Sequence, residues 1–119
     1  MKSILTKYEN ICFFCGRTAE AEHHLIFGTA GRELSEKDGL KVPVCNNCHN
    51  MGEKLKRIHD NPMAERMSKI IGQLAWEKQW ILQDAVHDHE SLEAEKEVQE
   101  IEDRIARKEF MKRYGKSYL

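Results

Sequence analysis

The sequence predicts an α+β fold in two parts, a small metal-stapled half of short strands and turns followed by a helical half. Three observations carry this. Two Cys-x-x-Cys pairs, Cys12/Cys15 and Cys45/Cys48, account for every cysteine in the chain. Both prolines and five of the seven glycines lie at or before Pro62, interleaved with short apolar runs. Beyond Pro62 the apolar residues recur at steps of three and four.

Two knuckles of two thiolates each make a tetrahedral zinc site the economical reading of the first half. Four thiolates leave no coordination position open, so such a site is structural. A disulfide framework is disfavoured, because the spacing is a metal spacing and the N-terminus MKSILTKYENIC lacks an apolar stretch followed by a small-residue cleavage site. A reducing, cytoplasmic setting is expected. Cys15-Gly16 supplies a turn beneath the metal, since glycine accepts positive φ. Ile11 to Phe14 and His24 to Phe27 are short apolar runs, and Leu40 to Val44 alternates like a strand leading into the second knuckle.

In the second half, Met63, Met67, Ile70, Ile71, Leu74, Ile81, Leu82 and Ala85 mark an amphipathic helix over about 63–86, started at Asn61-Pro62. Trp76 and Trp80 form an i, i+4 pair expected to pack on the metal-bound half or on the next helix. From Asp84 to Asp103 nine acidic residues stand against Lys96, and the run then turns basic through Arg104, Arg107, Lys108, Lys112, Arg113 and Lys116. Acid early and base late suit the dipole of a second helix over about 90–114. Its stripe, Leu92, Val98, Ile101, Ile105 and Phe110 or Met111, would pack on the first helix or on another chain as a homodimer, and Gly115 ends it. The expected division is a core at 1–62 and a helical extension at 63–119, with His87 and His89 solvated in the linker.

The chain has 119 residues and a formal net charge of −1. A core of that size is modest, and a metal staple would add to it. Near-neutral charge excludes nucleic-acid binding through bulk electrostatics, so any such contact needs a local patch. No apolar run approaches the roughly 18 residues that span a bilayer.

The chemistry must come from the histidines that the zinc does not use: His23 and His24 between the knuckles, His49 after the last cysteine, and His59 further on. Cys12-x-x-Cys15, then Glu22-His23-His24-Leu25-Ile26-Phe27-Gly28, then Gly39 to His49 (GLKVPVCNNCH) resembles the zinc-stapled HNH endonucleases of the His-Me finger superfamily, in particular small members from phages and mobile elements. The resemblance covers roughly residues 10–60, and Phe110 to Leu119 weakly. It implies a β-hairpin followed by a helix, clasping one catalytic divalent cation such as Mg2+, Mn2+, Ni2+ or Zn2+, with DNA as substrate. Carried over residue by residue, it makes His23 a metal ligand and His24 the general base, or, with a slip of one position, Glu22 the ligand and His23 the base. His49 matches the family's final histidine and would be the second ligand, and His59 a third or a phosphate contact. An imidazole near its ordinary pKa of about 6.5 can take a proton from water when a carbonyl or carboxylate orients its other nitrogen.

For phosphate, Arg32 is the foremost candidate, a loop arginine beside the histidine strand, followed by Lys54, Lys56 and Arg57. The chain departs from the family pattern at its middle asparagine: the neighbourhood reads Asp38-Gly39-Leu40, and Asp38 or Ser35 would have to hold the hairpin loop instead. Three function classes follow. They are a metal-dependent DNA endonuclease, a zinc-stabilised nucleic-acid-binding or protein-binding module of the same fold without useful activity, and an assembly protein joined through its helical tail.

Overall fold

The computed structural model describes residues 1–84 and 92–119, and side chains among them outside 84–99. His87 and His89 lie outside the described residues. The elements are β1 (Ala21–His24), α1 (Gly31–Asp38), β2 (Lys41–Val44), one π-type turn (Asn47–Met51), α2 (Pro62–Asp84) and α3 (Leu92–Tyr114). β1 and β2 form a two-stranded antiparallel sheet in which Ala21 faces Val44 and His24 faces Lys41. Backbone bonds from Glu20 N–H to Val44 and from Leu25 N–H to Leu40, both 2.9 Å, extend it by one pair at each end.

The first knuckle is a small hairpin of its own, with Ile11 bridged to Thr18 and Cys12 N–H donating to Arg17 at 2.7 Å. Gly16 turns it at φ 80°, as the Cys-Gly pair predicts. Phe13 N–H donates to the carbonyl of Pro43 at 2.8 Å, tying the knuckle to β2.

Short strands and turns are expected throughout the first half, yet residues 31–38 form helix α1. Its one large apolar residue, Leu34, gives no periodicity to read. What holds α1 is tertiary: Ser35, fully buried, donates to the carbonyl of Ile26 at 2.7 Å and accepts from the N–H of Ile26 at 3.2 Å. This hydroxyl fixes the chain where it leaves β1. Asp38 closes α1 by accepting from Trp76 Nε1, from Arg113 through two nitrogens, and from the Tyr114 hydroxyl. It ties α1 to α2 and α3 rather than to the hairpin loop.

The two halves share one core. Cys12, Leu25, Ile26, Leu40, Val42, Val44, Cys45 and Ile58 from the first half pack with Phe110 from the second, bordered by Ile71, Ala75, Trp76, Tyr114 and Tyr118. Position 62 is a change of secondary structure, and the packing runs straight across it.

α2 forms where its periodicity predicts, but only part of its apolar stripe reaches the core, with Ile71 at its border. Met63, Met67, Leu74 and Leu82 are exposed, while Ser68, Gln73 and Glu77 are buried. Close approach and paired polar groups explain the difference. A Cβ at Gly72 would stand 2.9 Å from Ile26 Cγ1 and 3.1 Å from Leu25 Cβ, so only glycine lets the helix sit this near the hairpin. Gln73 then accepts from Tyr118 N–H at 2.7 Å and donates to Ser117 at 3.0 Å, and Glu77 accepts from Arg107 at 3.0 Å. On α3, Phe110 is fully buried while Ile101, Ile105 and Met111 are exposed. Trp76 packs edge-on against Phe110, 5.6 Å between centroids, as expected of the tryptophan pair.

Candidate metal centres

Cys12, Cys15, Cys45 and Cys48 place their sulfurs within 4.8 Å of one another, with Cys15 and Cys45 at 3.5 Å. A tetrahedral zinc with sulfurs at about 2.3 Å needs sulfur-to-sulfur edges of about 3.8 Å, whereas a disulfide needs about 2.05 Å, so the set fits a four-thiolate zinc. The knuckle backbone favours a thiolate at Cys12. Burial pushes the Cys12 thiol up, but the N–H groups of Cys45, Cys15 and Phe14 outweigh it and hold it at about 6. Cys48 goes the other way, raised by burial and by the thiols of Cys45 and Cys15. Without a metal the four sulfurs cannot all be charged together; a cation would relieve that conflict.

A second group gathers on the other side of the hairpin. His23, His49 and His59 bring one ring nitrogen each within 4.8 Å of the others. His49 Nε2 and His59 Nε2 are 3.1 Å apart, close to the edge of about 3.3 Å that two imidazoles at about 2.0–2.1 Å make on a tetrahedral cation. The three rings meet edge to face, with centroids 4.7–5.2 Å apart. Each comes from a different piece of chain. β1 carries His23. The π-type turn carries His49, a single wide turn where the family resemblance implies a helix start. His59 sits in the following loop, which is laid alongside the turn by backbone bonds from Ile58 N–H to Cys48 and from His59 N–H to His49, at 2.8 and 3.0 Å. Since Cys48 belongs to the four-cysteine cluster, the first group positions the second.

The placement of protons identifies which nitrogen His23 offers. Its Nε2 lies 2.8 Å from Ser68 Oγ, and Ser68 donates its one hydroxyl proton to the carbonyl of Leu25 at 2.8 Å. Ser68 therefore accepts from His23 Nε2–H, and the lone pair of His23 is on Nδ1. His59 is arranged the opposite way, with Nδ1 turned to Glu65 at 3.9 Å and Nε2 turned into the group. Burial, with the neighbouring imidazoles of His59, His49 and His24, pushes His23 down from 6.5 to about 3. Burial and the charge of His59 and His24 also lower His49. His23 and His49 are thereby held neutral near pH 7, the form that ligates metal. His23 is buried and His49 and His59 are half-buried, so the group is open on one side.

His24 stands outside this group. Successive strand residues face opposite ways, and His24 points across β1 to Glu36 of α1, Nε2 to Oε2 2.8 Å. Glu22 also stands apart, paired with Lys41 at 3.0 Å. His24, Arg32 and Glu36 line a shallow depression of about 560 Å³ together with Glu9, Glu20 and Glu22, and Arg32 is the cation among its lining residues. Arg57 is occupied within the His59 loop, donating to the carbonyls of His59 and Gly52 and to Asp60. Lys54 and Lys56 are exposed, and Lys56 lies 3.8 Å from Glu53.

Sequence reasoning missed Ser68 and Glu65, which orient two of the three imidazoles from one face of α2, and Phe27, whose ring packs on His23 and His59 at 5.6 and 4.9 Å. The i, i+3 spacing of Glu65 and Ser68 is visible in the sequence; the face that α2 turns to the hairpin is not. Among the described residues no helix is long and apolar enough to cross a membrane. No protein-family model, curated protein or solved structure matches this chain.

Proposed function

We propose that this chain is a divalent-cation-dependent endonuclease of the HNH type that hydrolyses phosphodiester bonds in DNA. The convergence of His23, His49 and His59 beside a four-cysteine staple carries this reading. Three imidazoles and an open side are the donor set of a working site rather than a structural one. A bound divalent cation there supplies Lewis-acid stabilisation of charge on the phosphate and on the departing 3′ oxygen.

The chain's own groups supply the rest. His24 Nε2–H donates to the Glu36 carboxylate, which leaves Nδ1 free to take a proton from water. Hydrogen bonds from His24 and Lys41 hold Glu36 down to about 2, so it stays ionised and keeps the ring oriented at any working pH. His23 and His24 leave β1 on opposite faces, so the substrate must lap the end of that strand for both to act. Arg32, at the start of α1, is the cation beside His24 for a phosphate oxygen.

The test is cleavage of plasmid DNA with magnesium or manganese by wild type, His24→Ala and His49→Ala. Both variants should lose cleavage while zinc content stays the same. Undiminished cleavage by His24→Ala removes that base, and undiminished cleavage by His49→Ala removes the cation group. A second reading, a zinc-stabilised binding module without chemistry, is favoured by the carboxylates of Glu9, Glu20 and Glu22 around His24, which repel phosphate. Salt-dependent DNA binding without nicking under any divalent ion would select it.

A further inference from the structure

Resting on the nuclease reading, we infer that the DNA backbone reaches the three-histidine group over a strip formed by α2 and the C-terminal tail, with Lys69 as the first phosphate contact and Lys116 and Arg66 beyond it. The Lys69 ammonium lies 4.6 Å from the centroid of Phe27, the ring that packs on both His23 and His59. It also lies 5.7 Å from the Tyr118 ring, over which Lys116 stands at 5.2 Å. Arg66 is exposed and three residues before Lys69, on the same face of α2.

Most cations on the other faces around the histidines are paired with carboxylates, Lys54 and Arg32 excepted. Lys41 is shared between Glu22 and Glu36, Arg57 is paired with Asp60, and Lys56 lies near Glu53. Among the described residues, Lys69, Lys116 and Arg66 have no carboxylate partner. The depression at His24 carries four carboxylates. The flanking backbone of a polyanion is therefore met by the cations on the Phe27 side, while at the end of β1 Arg32 is the cation that admits the one phosphate beside His24. A chain with a net charge of −1 acquires the local patch that phosphate binding requires. The aromatic rings keep the ammonium groups of Lys69 and Lys116 in place without neutralising them.

The experiment measures binding of a short fluorescein-labelled DNA duplex by anisotropy across a salt series. It compares wild type, Lys69→Gln/Lys116→Gln and Lys54→Gln/Lys56→Gln, each checked for unchanged zinc content and melting. The strip variant should bind several-fold more weakly, with a slope of log K against log salt shallower by about two, since each phosphate left without its cation accounts for about 0.9. The Lys54/Lys56 variant should match wild type. If the strip variant binds like wild type, or the Lys54/Lys56 variant is the one with the shallower slope, the strip is overturned while plasmid cleavage by wild type keeps the nuclease reading. If wild type neither binds nor cleaves DNA, the strip and the nuclease reading fall together.

Discussion

At the scale of single residues, the histidine group depends on side chains that are not histidines. Ser68 fixes the His23 ring so that Nδ1 is the nitrogen on offer. Ser68→Ala should weaken binding of a second divalent cation by about 10–100-fold, read from the visible absorption of a cobalt titration, while the four-cysteine zinc remains. Long-range proton–nitrogen correlation should show the Nε2–H tautomer of His23 in wild type and a mixture in the variant. The His23 ring also gives stability a pH dependence. Above pH 6.5 it is neutral whether folded or unfolded; between 6.5 and about 3 the unfolded chain takes up a proton that the folded chain refuses, so stability falls as the pH is lowered across that window. In protein carrying zinc at its cysteines alone, urea midpoints should decline over this range, and His23→Gln should flatten the decline. Asp60, next to His59, holds a φ of 64°, a left-handed conformation uncommon outside glycine, and its ion pair with Arg57 keeps the loop in place.

At the scale of elements, α2 is the informative one. Its three- and four-residue periodicity is legible and gives a helix from Pro62 to Asp84, yet the face turned inward sets Ser68, Gly72, Gln73 and Glu77 beside Ile71, Ala75 and Trp76. Hydrophobic period reports that a helix exists; it cannot report that a polar face will find its partners on a hairpin and a tail distant in sequence. Gly72→Val should destabilise by about 1–3 kcal/mol, because Ile26 and Leu25 leave no room, and urea unfolding measures it. Asp38 does the corresponding work for α1, accepting from α2 and α3 at once. Its removal in Asp38→Ala strands the Trp76 and Tyr114 donors and should cost about 2–4 kcal/mol in urea unfolding, toward the lower end because the Arg113 guanidinium is partly exposed and screened.

At the scale of the whole molecule, one core spans both halves, so the helical part is not an appendage. A chain ending at Asp84 lacks Phe110, Tyr114 and Tyr118 from that core and should melt well below the full chain, measured by circular dichroism with zinc present. What the sequence by itself determined is the staple, the long helices and the histidines worth watching, because knuckle spacing, apolar period and residue chemistry are local properties written in consecutive letters. The tertiary structure alone decided which imidazoles meet. Strand alternation sent His24 to Glu36 and His23 inward, the backbone pairing of the His59 loop with the turn at Cys48 and His49 brought His59 beside His49, and the close approach at Gly72 put Ser68 against His23. Those are contacts between segments far apart in the chain, and only packing specifies them.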